Sequence, residues 1–275
     1  MHPSGAQYEL RFADQSACVV GVGGGLRTYA VGGRVVLDGY GVEEMCRSGR
    51  GQILAPWPNR IRGGAYSFDG EEHQLPLTEP EAGNAIHGLV RWAQWGLVDR
   101  DADRVTLEHH LFPQPGYPFA QHLQVEYRLR EQGLSVTVTV RNVGDRPCPF
   151  GLGFHPYLCG APKVDDLTLH VPARTPPDLY RPKRIGDTVL DTTFTDLERS
   201  SDGLVRVNVD DTVVWADASF KYLQLFTGDT LPDVARRSLA VEPMTCPPNA
   251  FRTGEDLIRL EPDQRFTASW GIQPP

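Results

Sequence analysis

The sequence predicts an all-β fold, a sandwich of antiparallel strands with few short helices, and three observations carry that expectation. Apolar and polar residues alternate with period two in one segment after another, the pattern of a strand with one buried face. The 28 glycines and 23 prolines punctuate these segments, where the chain has to turn. No amphipathic stretch keeps a helical period for longer than about three turns.

The clearest pair of strands is His122 to Arg130 and Leu134 to Val143. Leu123, Val125, Tyr127 and Leu129 share one face of the first, with Gln124, Glu126 and Arg128 on the other. Val136, Val138 and Val140 repeat the pattern in the second. Glu131-Gln132-Gly133 between them predicts a hairpin turn, so the two strands pair antiparallel. Shorter strand-like runs occupy Arg34 to Leu37, Val105 to Leu111, Leu167 to Val171, Leu204 to Val209, Thr212 to Trp215, Tyr222 to Phe226 and Phe266 to Ile272. The Pro-rich, basic segment from Arg174 to Gly186 is too short for an interdomain linker and is expected to be a surface excursion. There is no internal repeat and no low-complexity segment, so residues 1–275 are expected to form one domain.

Composition narrows the function. A net charge of −8 opposes binding to polyanions, and the short basic cluster Arg181, Lys183 and Arg184 is flanked by acids, so no nucleic-acid partner is expected. Cys18, Cys46, Cys148, Cys159 and Cys246 form no C-x-x-C pair and no zinc spacing with histidine, which reads as buried thiols in a reducing compartment with no metal. No run approaches the roughly 18 consecutive apolar residues of a membrane span. Charged and polar residues from Tyr8 to Asp14 interrupt any secretory signal. The expected location is cytoplasmic, with no membrane partner.

Four segments carry candidate chemistry. Gly51 to Gly70 holds Asn59 and Arg60 behind a proline-stiffened Trp57; a planar guanidinium there suits either a ligand or solvent. Asn84 to Trp95 places His87 before a glycine, with Trp92 and Trp95 following as core packing or as an aromatic platform for a sugar. Phe150 to Leu158 sets His155 in an apolar run, the place of a packed core imidazole or of a titratable group poised near neutrality. Leu239 to Phe251 presents Glu242 at the end of an apolar strand, where burial would raise its pKa. Each residue taken singly has an ordinary structural explanation.

In this order, the segments resemble the aldose 1-epimerases, or galactose mutarotases. The matches are G-x-x-L-x-P-x-x-N-R-I at Gly51 to Ile61, N-x-x-H-G at Asn84 to Gly88, H-P-Y at His155 to Tyr157, and E-P-M-T-x-P-P-N-A-F at Glu242 to Phe251. The resemblance implies a galactose mutarotase-like β-supersandwich with an open sugar cleft, a monosaccharide (hexose) substrate and no cofactor. It implies His155 as the acid that protonates the ring oxygen and Glu242 as the base that takes the anomeric hydroxyl proton. His87 matches the family's second histidine, Arg60 the arginine that holds sugar hydroxyls, with Asn59 beside it. Asp191 matches a sugar-binding aspartate, with Asp187 and Asp196 as rivals. The E-P-M-T version departs from the better-known galactose enzymes, so the chemistry carries over better than the sugar.

Three further readings stay open. One is a mutarotase of an anionic, phosphorylated or sulfonated hexose, motivated by Arg60, Arg62 and Arg91. Another is a non-catalytic sugar-binding or sensing protein on the same fold. A glycoside hydrolase ranks last, because it needs two carboxylates.

Overall fold

Strand pairing in the computed structural model, which describes residues 1–160, 163–232 and 234–275, is antiparallel throughout the named sheets. Two large sheets dominate. The first has eleven strands, its main path running Gln7–Phe12, Gln15–Val20, Leu26–Val31, Arg34–Leu37, Tyr157–Leu158, Leu239–Met244, Tyr222–Phe226, Asp191–Leu197 and Ala173–Thr175. The second has nine, ordered Gly96–Arg100, Arg104–Leu111, Gln121–Arg130, Gly133–Asn142, Arg265–Gln273, Thr212–Ala216, Val205–Val209, Thr168–His170 and Lys183–Arg184.

The alternation predicted from sequence is the one observed. Along Gln121–Arg130 every second residue is buried, and Val125 sits opposite Val138 on the neighbouring strand, so the apolar faces of adjacent strands coincide. The hairpin is one residue tighter than expected. Arg130 pairs with Gly133, leaving only Glu131 and Gln132 in the turn. The apolar faces of the two sheets meet in one continuous core; Phe154 from the first packs on Trp270 from the second, ring centroids 5.1 Å apart.

The basic segment from Arg174 onward is more than a surface excursion. Its start pairs with Asp191–Leu197 in the first sheet and its end with Thr168–His170 in the second, so it carries the chain across the sandwich edge. Helix is confined, among the described residues, to Ala250–Thr253 and two 3-10 turns, Pro80–Ala82 and Val164–Asp166. Among the described residues no helix is long and apolar enough to cross a membrane. Four of the five cysteines are buried as expected, whereas Cys159 is only half-buried.

Candidate active site

The four sequence segments converge by hydrogen bonding. Strand Arg60–Arg62 pairs with Asn84–Ile86, and Asn249 donates its backbone N–H to Arg60 while its side chain accepts from the Arg62 N–H. Gly153–Phe154 pairs with Ile53–Leu54 on one side and Met244 on the other. His155 lies in the break between that short strand and Tyr157–Leu158. Its N–H donates to Gln52 and its carbonyl accepts from Gly51, which fixes the backbone that aims the imidazole.

Glu242 is interior to strand Leu239–Met244, not at its end as the following proline suggested. Period-two alternation explains its orientation: Leu239 and Val241 enter the core, so Glu242 projects from the opposite face of the sheet. There it meets His155. The two are 4% and 2% exposed, with Nε2 of the imidazole 3.4 Å from Oε1 of the carboxyl. They stand side by side on neighbouring elements of one sheet at the floor of a cleft of about 240 Å³.

His155 is held on two sides, one of them a stack that is itself backed by a cation. Its ring stacks on Tyr157 at 4.9 Å, the far face of Tyr157 carries the Arg50 guanidinium at 4.3 Å, and His87 meets the imidazole edge-on at 5.3 Å. Tyr157 is anchored by its hydroxyl, which donates to the Ser48 carbonyl. His87 itself has a left-handed backbone, φ +62°, and its N–H donates to the Asn59 carbonyl.

Burial sets the protonation of the pair. Desolvation, aided by the Arg50 and Arg91 cations, pulls His155 down to about 3. Desolvation, reinforced by Asp191 and opposed by Arg60, pushes Glu242 well above the carboxylate range. His87 is held well below its usual value by burial and then by His155. Burial therefore favours the neutral form of each partner, the imidazole over the imidazolium at His155 and the carboxyl over the carboxylate at Glu242. Glu242 Oε2, His155 Nδ1 and His87 Nδ1 are buried and lack a partner among the described residues, which a ligand rich in hydroxyls would relieve.

The cleft wall is built from Arg60, Asp191 and residues the sequence did not single out. Arg60 forms a two-pronged ion pair with Glu79, at 2.8 and 3.0 Å, which holds the Glu79 carboxyl below its usual range. Asn84 donates to the same carboxylate. The remaining Arg60 nitrogen, Nη1, comes within 4.0 Å of Asp191, whose other oxygen accepts from Gln224 at 2.6 Å. Asp191 thus lines the cleft, whereas the rival Asp196 bonds Thr175 and Asp187 is not among the lining residues. Asn59 lines the cleft too, its side-chain oxygen accepting from the Arg60 N–H.

All six residues nominated from sequence, namely His155, Glu242, His87, Arg60, Asp191 and Asn59, share this one cleft. Glu79, Gly49 and the stack of Tyr157 on Arg50 were missed. Tyr157 stood within the H-P-Y triplet and was the one findable signal. The paired tryptophans divide: Trp95 is fully buried, but Trp92 is 50% exposed, because Trp92 belongs to a turn rather than to a strand face. Of the three arginines suggested for an anion, Arg60 is neutralised by Glu79 and Arg62 lies outside this cleft; Arg91 lines it, and no carboxylate lies within 4.0 Å of Arg91 among the described residues.

The fold and site together define a β-supersandwich protein with an imidazole–carboxyl pair at the floor of a polar cleft. The chain belongs to the aldose 1-epimerase family, whose model matches residues 6–273. It is 36% identical to the uncharacterized protein YihR of Escherichia coli (strain K12) over 286 residues, covering 95% of this chain and 91% of the relative. Its fold is similar to that of a GalM/aldose epimerase homologue from C. elegans, with a TM-score of 0.84 at 16% identity over 97% of this chain and 98% of the other. The galactose 1-epimerase of Lactobacillus acidophilus NCFM gives 0.76 at 20% identity, covering 95% and 92%.

Proposed function

We propose that the protein is a mutarotase that interconverts the α and β anomers of a hexose by acid–base ring opening and closure. The observation that carries this reading is the 3.4 Å contact between a buried imidazole and a buried carboxyl group at the cleft floor. The ring oxygen O5 and the exocyclic O1 of an aldose are bonded to one carbon. Two proton-transfer groups in mutual contact are therefore spaced to reach both oxygens at hydrogen-bond distance.

The steps balance without a cofactor. Sugar hydroxyls entering the cleft stabilise the charged form of the pair, and the proton passes from Glu242 to His155. The Glu242 carboxylate then takes the O1 proton while His155 Nε2 protonates O5. The C1–O5 bond breaks with its electron pair on oxygen, and C1=O1 forms. Rotation about C1–C2 and closure with the two roles exchanged deliver the other anomer. His87 supports the charge shift at His155, while Asn59, Arg60 and Asp191 hold hydroxyls; Glu79 fixes Arg60 in the cleft wall.

An anionic hexose is the second reading, favoured by Arg91. Burial lowers its affinity for a proton, and a guanidinium that is half-buried without a carboxylate gains from an incoming anion. One assay addresses both readings. Freshly dissolved α-glucose, α-galactose and glucose 6-phosphate are followed by polarimetry or NMR with catalytic amounts of protein. Accelerated mutarotation of any of them supports the enzyme; acceleration of none across a wider panel leaves a sugar-binding protein. A preference for the phosphorylated sugar that vanishes in Arg91→Ala selects the second reading.

The pH profile provides an independent check. The pair fails when His155 is protonated or when Glu242 loses its proton. Because burial holds His155 down at about 3, kcat/KM is expected to show no acid limb at the ordinary imidazole value of ~6.5. An acid limb centred near that ordinary value would contradict the buried, neutral imidazole.

A further inference from the structure

A second cluster of ligating side chains lies on the other sheet. We propose that Glu108, His110 and His122 form a binding site for a divalent transition-metal ion such as Zn²⁺, on the outer face of the nine-stranded sheet and separated from the cleft by the core.

The cluster follows from strand register. His110 and His122 are directly opposed on adjacent antiparallel strands, and Glu108, two residues before His110, points to the same face. The inward neighbours Leu107, Leu111 and Leu123 are buried, which anchors both strands and leaves these three side chains outward. One ligand atom from each lies within 4.8 Å of the others. His122 Nε2 and Glu108 Oε2 are 3.0 Å apart. Ligands with bonds of about 2.0–2.1 Å around a tetrahedral ion sit roughly 3.3–3.5 Å from each other, so an ion fits between the two with a shift of a few tenths of an ångström.

His110 completes the set. Its ring stacks on His122 at 4.5 Å, is exposed, and has no hydrogen bond among the described residues, so a turn about its soft χ2 brings a nitrogen to the ion. Two imidazoles and one carboxylate suit Zn²⁺, Cu²⁺ or Ni²⁺ better than Mg²⁺ or Ca²⁺, and leave a coordination position for solvent. The neighbouring cation, Arg141 opposite His122, is drawn to Asp263 at 2.7 Å. No sequence spacing announces the site, because its ligands come together only through cross-strand pairing.

Untagged protein titrated calorimetrically with ZnCl₂ tests the proposal. The expected result is one Zn²⁺ per chain, a zinc-dependent rise in melting temperature, and no response to MgCl₂. His110→Ala, at an exposed position that leaves the fold intact, and Glu108→Gln should each weaken binding by about tenfold or more. His155→Asn should leave it unchanged, which separates this site from the cleft histidines. Zinc affinity unaltered in His110→Ala, or abolished in His155→Asn, overturns the assignment, as does the absence of binding at millimolar zinc.

Discussion

Glu242→Gln is expected to lower kcat/KM for anomer interconversion by about 10²–10⁴-fold, the usual contribution of a positioned acid or base. Glutamine keeps the shape and one hydrogen-bonding oxygen but cannot take up or release a proton beside His155, 3.4 Å away. Sugar affinity should change little. His155→Asn should give a comparable loss, and the double variant should be little worse than either single one, because the two residues act as a unit. Multiplying losses in the double variant, or a Glu242→Gln rate within threefold of wild type, would dismantle the paired acid–base mechanism.

The same substitution should stabilise the fold. The folded-state pKa of Glu242 is raised above its unfolded value, so the wild type loses stability as pH rises from the unfolded carboxylate range toward the folded pKa. Glutamine does not titrate and escapes that loss. Glu242→Gln should therefore gain about 0.5–2 kcal/mol, as is common when a functional strained group is relieved. The difference should be larger at pH 8 than at pH 5 in paired thermal melts. A gain that shrinks with rising pH would mean that the carboxyl is not held in its acid form.

Gly49→Ala is expected to cost about 10²-fold in kcat, the scale of an ångström-size misplacement of a catalytic group. A Cβ at Gly49 would lie 2.7 Å from Cδ2 of His155, and φ there is +73°. The imidazole cannot yield toward Tyr157, on which it stacks at 4.9 Å. The added methyl therefore displaces the ring from its seat 3.4 Å from Glu242. Gly203→Ala serves as the control. It carries similar backbone strain at φ +80° but meets nothing within 4 Å, so it should lose stability without losing rate. Equal activity in the two variants would show that Gly49 matters only for its backbone.

Much of this architecture is legible in the sequence because strand alternation is local. Period two in residues 122–130 and 134–143 identifies which side chains are buried and which neighbours pair, since a hairpin needs only the turn between. The strand ends were less legible. Gly133 looked like a turn residue and proved to be the first paired one, and Pro243 looked like a terminator while the strand runs on to Met244. Proline lacks the N–H donor and fixes φ, which usually confines it to strand edges and ends, yet Pro243 pairs with Leu223 inside the first sheet.

The candidate site divides in the same way. Residue types and motif order, read from the chain alone, determined the all-β class, the family likeness and the six nominated residues, because those properties reside in short contiguous segments. Tertiary structure decided that His155 and Glu242 touch, that burial pushes the carboxyl of Glu242 up and the imidazole of His155 down, that Glu79 neutralises Arg60, and that Gly49 abuts the imidazole. It also brought Glu108, His110 and His122 to one face. These are facts of strand order and burial. Period-two alternation names the face a side chain occupies but not the distant strand that will lie beside it, and the low dielectric that shifts these pKa values exists only once both sheets and their covering loops have closed over the site.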